Sequence, residues 1–351
     1  PWAGLARASE LAAGWPDLDL ADADEPSVEA LLRAAAAAED AARAVPGVTN
    51  SDGGSAFWSR LRFTLAATNG FHGSYVRTRH GVGATVLAGT DTGMQGDGEF
   101  RTATHRADLP APEVIGRLAG ERTVRSVGPR KVATAQVPVV YEPRLAASLL
   151  RHFAGAIGGE AVAAGRSFLK GCLGQAVFAP GVTITDDPLR RRGLESIPFD
   201  DEGIGVATRR LIDDGVLTTW LLDLASARRL GLASTGHASR SGAILGSPRP
   251  TNLTLAAGRH SPGELLADIA SGFYVTDMMG MGVSAITGDY SRGASGFWIE
   301  NGKLAYPVSD VTVAGNLVAM FRNLVPAADL EITGAIDSPT VRIDGLTVAG
   351  T

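Results

Sequence analysis

Glycine sets the first limit on this chain. Of its 351 residues, 44 are glycine, well above the usual level of about 7%, and they are scattered without a repeat. Scattered glycine implies many tight turns, because a residue without a Cβ enters left-handed backbone at little steric cost. It argues against a collagen-like chain or a flexible linker, and the expected fold is a turn-rich α+β protein.

Length suggests one large or two ordinary domains. A chain that is 45% hydrophobic and 20% charged, with a mean hydropathy of +0.09 and no apolar run of about 18 residues, reads as globular with no membrane span. Lys+Arg 32 against Asp+Glu 37 gives a net charge of −5, and without a basic cluster no nucleic-acid partner is expected. The single Cys172 rules out an intrachain disulfide and a cysteine-built zinc cage. The expected compartment is the cytoplasm. The sequence opens Pro1-Trp2-Ala3-Gly4 with neither a basic n-region nor an apolar h-region, so no signal peptide is expected. The missing methionine suggests a further N-terminal segment.

Local patterns place the elements. Ser27 to Val45, with its alanine run, reads as a surface helix stopped by Pro46-Gly47. From Phe57 to Arg106, short apolar runs broken by glycine read as antiparallel strands. Pro112 to Val127 is a second helix, and Gly128-Pro129 marks a boundary between a 1–128 region and a 129–351 domain. Ala135 to Tyr141 is a buried strand. Pro143 to Ala164 is the clearest helix, since Leu145, Leu149, Phe153 and Ile157 form one apolar stripe. Further strands are expected at Gln175–Phe178, Gly181–Thr185, Leu217–Leu222 and Asn252–Ala256, and a helix start at the capping box Ser261-Pro262-Gly263-Glu264. Asn301-Gly302 and Asp344-Gly345 each read as a two-residue hairpin turn, making the C-terminal domain mainly antiparallel β.

The residues alone name no reaction. The six histidines are dispersed, with no pair at metal-binding helical spacing. Gly293-Ala294-Ser295-Gly296 is only half a nucleophile elbow. Cys172, between Gly171 and Leu173, reads as a small buried hydrophobe rather than a nucleophile. Asp186-Asp187 and Asp200-Asp201-Glu202 read as solvated turns.

Two long segments then carry a resemblance. Phe199-Asp200-Asp201-Glu202-Gly203, Asp214-Gly215-Val216-Leu217 and the stretch Ala227 to Ala238 resemble the TldD/PmbA family, once called modulators of DNA gyrase. So do Val275 to Gly280, Ile286 through Gly302, Ala314 to Leu317 and Met320 to Asn323. The likeness runs from about residue 15 to the C-terminus and implies a TldD/PmbA-like α+β fold. In that family, TldD-like subunits carry a His-Glu-x-x-x-His helix and a C-terminal cysteine that bind zinc, and the TldE (PmbA) branch lacks them. Here Arg151, His152 and Ala156 stand for the helix residues and Ser338 stands near the cysteine. The resemblance therefore implies a TldE-like chain with no catalytic residue, no metal and no cofactor of its own. It further implies a cytosolic heterodimer with a TldD-like, zinc-holding partner that degrades unfolded peptides or trims leader peptides. A homodimeric peptide-binding protein is the alternative, and a hydrolase using Ser295 or Cys172 a third.

Residues that could touch peptide or partner each have a plainer reading. His152 reads first as a packed structural histidine. Asp289, Tyr290, Ser291 and Arg292 form either a binding loop or a turn in which Arg292 pairs with Asp289. His237 and Arg240 lie in a stretch that could bind an anion, but a flexible surface loop is favoured. Met278, Met279 and Met281 read as core or interface filler.

Overall fold

Helix α1 (Val28–Arg43) starts where the Ser27 side chain accepts a hydrogen bond from the Ala30 N–H, and α2 (Pro112–Arg125) opens on proline, whose missing N–H costs nothing in a first turn. In this computed structural model, which describes residues 2, 4–90, 93–241 and 244–350, the two helices cover a three-stranded antiparallel sheet. Its order is β1 (Val48–Ala66), β2 (His72–Ala88), β3 (Gln95–Ala103). Ala38, Ala42, Val82, Val86 and Ile115 form the core of this unit. Small side chains let the helices touch: a Cβ on Gly116 would lie 1.9 Å from the Ala38 carbonyl oxygen. β3 pairs only with His80–Ala88, so the distal half of the β1–β2 hairpin is a two-stranded ribbon. There the Thr78 N–H donates to the Leu20 carbonyl instead, at 2.9 Å.

Strand β4 (Ala135–Tyr141) leads into α3 (Pro143–Ala156) and the short α4 (Gly159–Ala163). Next come β5 (Ile184–Asp186), β6 (Arg209–Asp213), β7 (Val216–Leu217), α5 (Leu224–Leu230), β8 (Arg240–Ser241), β9 (Ile244–Leu245), β10 (Leu253–Leu255) and α6 (Pro262–Leu266). The chain then builds β11 (Ser271–Met279), β12 (Asp289–Glu300), β13 (Lys303–Asn316), α7 (Leu317–Arg322), β14 (Leu324–Pro326), β15 (Ile336–Asp337) and β16 (Val341–Ala349). Six of these strands form one sheet, in the order β13, β12, β11, β4, β16, β14, in which only β4–β11 is parallel. β16 also reaches back to β13, pairing Val313 with Val348, so five strands close into a ring. β15, β10, β5, β6 and β7 make a smaller sheet.

The apolar stripe of α3 packs as its spacing predicts. Of its four residues, Leu149, Phe153 and Ile157 are each 1% exposed or less and Leu145 is half-buried, with Leu150 buried beside them, and burying side chains of this size contributes about 1.5–3 kcal/mol apiece. The expected long helix is interrupted at Ile157-Gly158, where the backbone bonds to Leu221 instead, the Gly159 N–H donating to the Leu221 carbonyl and the Leu221 N–H to the Ile157 carbonyl. Gln175–Phe178 is not a strand; Ala176 makes a single bridge to Val216.

The two glycine dipeptides diverge. Asn301 (φ 48°) and Gly302 (φ 77°) form the expected hairpin between β12 and β13, with both central residues left-handed. Asp344-Gly345 does not turn the chain. β16 runs straight through it, and the register slips by one residue between Ile343↔Val139 and Leu346↔Val137, which is a β-bulge.

Gly302 is tightly constrained, since a Cβ there would stand 2.9 Å from the Ala267 carbonyl oxygen in backbone that disfavours side chains. Gly302→Ala is expected to lower unfolding free energy by about 1–2 kcal/mol, read as a reduced denaturant midpoint with an unchanged slope.

Candidate functional site

Helix α3 follows directly from the centre of the large sheet, so its side chains are held by the most buried strand in the domain. His152 falls just off the apolar stripe and is half-buried. Its ring meets that of Tyr290 on β12 edge-on, with centroids 6.1 Å apart and planes at 81°. Tyr290 is 1% exposed and its hydroxyl donates to Met278 Sδ at 3.3 Å. Burial pushes the Tyr290 phenol up to about 12 and the Tyr141 phenol well above its usual range. His152 moves the other way: burial, reinforced by the charges of Arg292 and Arg151, lowers its pKa, so the imidazole is neutral at pH 7. Its Nε2 and the Tyr141 hydroxyl are buried with no hydrogen-bond partner among the described residues. A neutral imidazole beside two un-ionised phenols can exchange hydrogen bonds with an amide. It holds no carboxylate to act as a base.

The four positions that the resemblance assigns to zinc-site residues, three for ligands and that of His152 for the glutamate, do not supply a donor set. Arg151 is exposed and cationic, and Ala156 is a buried methyl group. β15 runs past α3, and Ser338, at its end, is buried with its hydroxyl donated to the Pro339 carbonyl at 2.9 Å. His152 is then a single imidazole, where a zinc site takes three or four nitrogen, sulfur or carboxylate ligands. No group of three His, Cys, Asp or Glu side chains is placed to hold a metal among the described residues.

Asp289, Tyr290, Ser291 and Arg292 open strand β12 rather than forming a loop. Strand alternation turns Asp289 and Ser291 outward and Tyr290 inward. The Arg292–Asp289 pair does not form. Arg292 Nε donates to the Gly280 carbonyl at 3.0 Å, and the Asp289 carboxylate accepts from the Thr287 hydroxyl and the Asn316 amide. The end of β11 and the connection that follows it carry exposed apolar side chains, Met279 at 57%, Met281 at 94% and Ile286 at 62%. Met278 and Val283 pack against the core instead. The structure thus gathers His152, Tyr290, Arg292 and this apolar loop.

His237 and Arg240 belong to a different cluster. Residues 235–239 are not a flexible surface loop: Thr235, His237 and Ser239 are buried. His237 is bonded on both ring nitrogens, Nδ1 to the Thr235 hydroxyl (2.7 Å) and Nε2 to Asp186 Oδ2 (3.1 Å). The Thr251 N–H and hydroxyl also donate to Asp186. Asp186 and Asp200 are fully buried, not solvated. Asp200 accepts from the backbone N–H groups of Glu202, Ile204 and Ala238. Sequence reasoning missed the burial of these carboxylates because the segments that cover them, carrying Thr251 and His237 against Asp186 and Ala238 against Asp200, lie far along the chain. Arg240 is exposed, its N–H donating to the Asp201 carboxylate.

The alternative nucleophiles are isolated. Ser295 lies within β12 opposite Asp277, and Cys172 is half-buried against the main core. Neither is hydrogen-bonded to a histidine among the described residues. No helix among them is long and apolar enough to cross a membrane.

Comparison with known proteins gives a consistent set of likenesses. Residues 134–350 match the family model of the PmbA/TldA metallopeptidase C-terminal domain, and residues 21–127 that of the PmbA/TldA central domain. The metalloprotease PmbA of Escherichia coli is 40% identical over 355 residues, spanning 100% of this chain and 76% of that protein. A crystal structure described as a modulator of DNA gyrase from Bacteroides thetaiotaomicron superposes with a TM-score of 0.89 at 29% identity, covering 100% of this chain and 78% of that one. TldE from Thermococcus kodakarensis shares the fold, with a TM-score of 0.85 at 19% identity over 99% of this chain and 80% of its own.

The turn at Asp200–Glu202 makes stability depend on pH. Burial pushes the Glu202 carboxyl up to about 7, against the Leu224 N–H that it accepts from, and the Asp200 carboxyl up to about 6. A raised carboxyl pKa means the folded state holds its proton more tightly than the unfolded chain. That stabilisation is complete below the unfolded value near 4.5 and is lost as pH rises through about 7. Glu202→Gln is expected to flatten this loss, retaining about 1–2 kcal/mol more than wild type at pH 8 and nothing extra at pH 4, as read by denaturation at the two pH values.

Proposed function

This chain belongs to the PmbA/TldD metallopeptidase family, and from that premise we propose that it is a TldE-type subunit, working beside a TldD-like partner that holds the zinc and cuts the peptide. The observation that carries this reading is the chemistry at the zinc-ligand positions: a guanidinium at 151, a methyl at 156 and a backbone-bonded hydroxyl at 338 replace the ligands. A cation at 151 repels a metal ion, and His152 is left without the second ligand or carboxylate base that metal-assisted hydrolysis needs. The TldE likeness in fold supports the same assignment.

In this reading the chain walls a cavity in the cytoplasm and contacts unfolded or leader peptide through β12 and the loop before it. Asp289, Ser291 and Arg292 offer polar contacts, and Met279, Met281 and Ile286 an apolar surface that adapts to varied side chains, as flexible methionines do. His152 and Tyr290 act beneath them as positioning residues. Exposed apolar groups concentrated in one loop mark an interaction site rather than ordinary surface.

Elemental analysis and peptidase assays on the chain alone, and on the chain mixed with a TldD-like partner, test the proposal. The chain alone is expected to carry less than a tenth of an equivalent of zinc and to cleave nothing, with activity appearing only in the mixture. Stoichiometric zinc or cleavage by the chain alone would overturn it. Ser295→Ala and Cys172→Ala are expected to leave the activity of the mixture unchanged.

A further inference from the structure

A second recess lies on the β1–β2 ribbon, built from elements that take no part in the α3 site. Register places Ser59 opposite Arg79 and Leu61 opposite Arg77, so four side chains share one face of the ribbon. With Glu195 behind and Arg249 beside them they enclose about 330 Å³. The charges in this recess do not balance. One carboxylate, Glu195, serves both Arg77 and Arg79. Further donors go to backbone, Arg77 to the Ser196 carbonyl and Arg79 to the Leu194 carbonyl. The Nε atoms of both arginines are buried without a hydrogen-bond partner among the described residues. Arg249 is exposed and forms no ion pair among the described residues. The Asp201 carboxylate accepts from the Arg240 backbone N–H, and the Arg240 side chain donates to the Asp201 backbone carbonyl; Asp201 and Glu195 together still leave three guanidinium groups facing two carboxylates. Burial pushes Arg77 down from its usual pKa; Tyr75 and Glu195 oppose the shift, and Arg79 and Arg249 add to it.

We propose that this recess binds a peptide carboxylate, with Arg249 and the outer face of Arg79 as the contacting guanidinia and Arg77 as the buried cation beneath them. Two guanidiniums lining one recess match the two oxygens of a carboxylate, and such charge-assisted pairs are stronger than neutral hydrogen bonds. The exposed Leu61, at 62%, offers an apolar rim for the residue that bears the carboxylate. That the carboxylate comes on a peptide rests on the chain's reading as part of a peptidase. The oxyanion chemistry does not.

The test is calorimetric titration of the whole chain with an acetylated alanine-rich peptide in three forms: free acid, C-terminal amide, and amide carrying one internal glutamate. The free acid is expected to bind at least tenfold tighter than the plain amide, with that advantage shrinking as salt is raised. Arg249→Ala, a substitution at an exposed side chain with no ion pair, is expected to erase the difference without lowering Tm, and Arg79→Gln to reduce it. If the glutamate peptide binds like the free acid, the site takes side-chain carboxylates as well as chain ends. If it binds like the plain amide, the site reads chain ends alone. Either result leaves the carboxylate assignment standing. Equal binding of free acid and plain amide, retention of the difference in Arg249→Ala, or tighter binding of inorganic phosphate than of the free acid overturns it. No cleavage is involved, so failure here leaves the subunit reading intact, and failure of the zinc and activity assays leaves this binding result interpretable.

Discussion

The seven residues of β4 hold the C-terminal half together. β4 runs parallel to β11 on one side and antiparallel to β16 on the other, and Val139, Val140 and Tyr141 are wholly buried. Without this strand, the β11–β12–β13 meander would join the rest of the sheet only through the short β13–β16 pairing. The same strand delivers α3, whose stripe covers the sheet, and Arg144 in its first turn ties the two units of the molecule. Arg144 bonds Glu142 beside it, Asp97 and the Gly98 carbonyl on β3, and the Thr276 carbonyl on β11. Burial pushes Glu142 up, opposed by Arg144, so the contact is a partly desolvated pair whose loss would strand a charge. The placement of His152 against Tyr290 is a consequence of this strand-to-helix geometry.

Elements fixed by short-range chemistry were legible in the sequence. The Ser27 cap, the Ser261–Glu264 capping box, the α3 stripe and the Asn301-Gly302 turn each depend on residues within a few positions of one another. Asp344-Gly345 shows where that logic stops. Its sequence favours a turn as strongly, but β4 is already in place to pair on both sides of it, so tertiary pairing converts the turn signal into a bulge. Asp186 and Asp200 looked solvated for a similar reason. Asp186 is satisfied by Thr251, 65 residues away, and Asp200, though it accepts from the nearby Glu202 and Ile204, is also bonded by Ala238, 38 residues away; no local pattern reveals contacts made from that distance.

The candidate site was legible only through resemblance. Arg151, His152 and Ala156 carry no signal by themselves, and their meaning comes from what stands at those positions in the active branch. The structure adds the orphaned polar atoms around His152 and Tyr141 and the apolar loop above Tyr290. The arginine recess was invisible to sequence reading, because residues 77, 79, 195 and 249 converge only when the ribbon folds against the 194–196 turn.

Strand β1 has a cost of its own. It pairs with β2 alone, so among the described residues a 19-residue edge of backbone N–H and C=O groups has no further strand partner, and such an edge templates aggregation in other chains. Here it is broken by two register slips between Val48 and Gly53 and guarded by Asp52, Arg60 and Arg62 along its length. Kinks spoil the straight alignment that a second strand would need, and the charged side chains along the edge, Arg60 held by Glu25 among them, resist burial against a like copy. The most extended element of the molecule is thereby also the one least able to recruit its own kind, which lets the chain carry a long open ribbon without becoming the seed of a fibre.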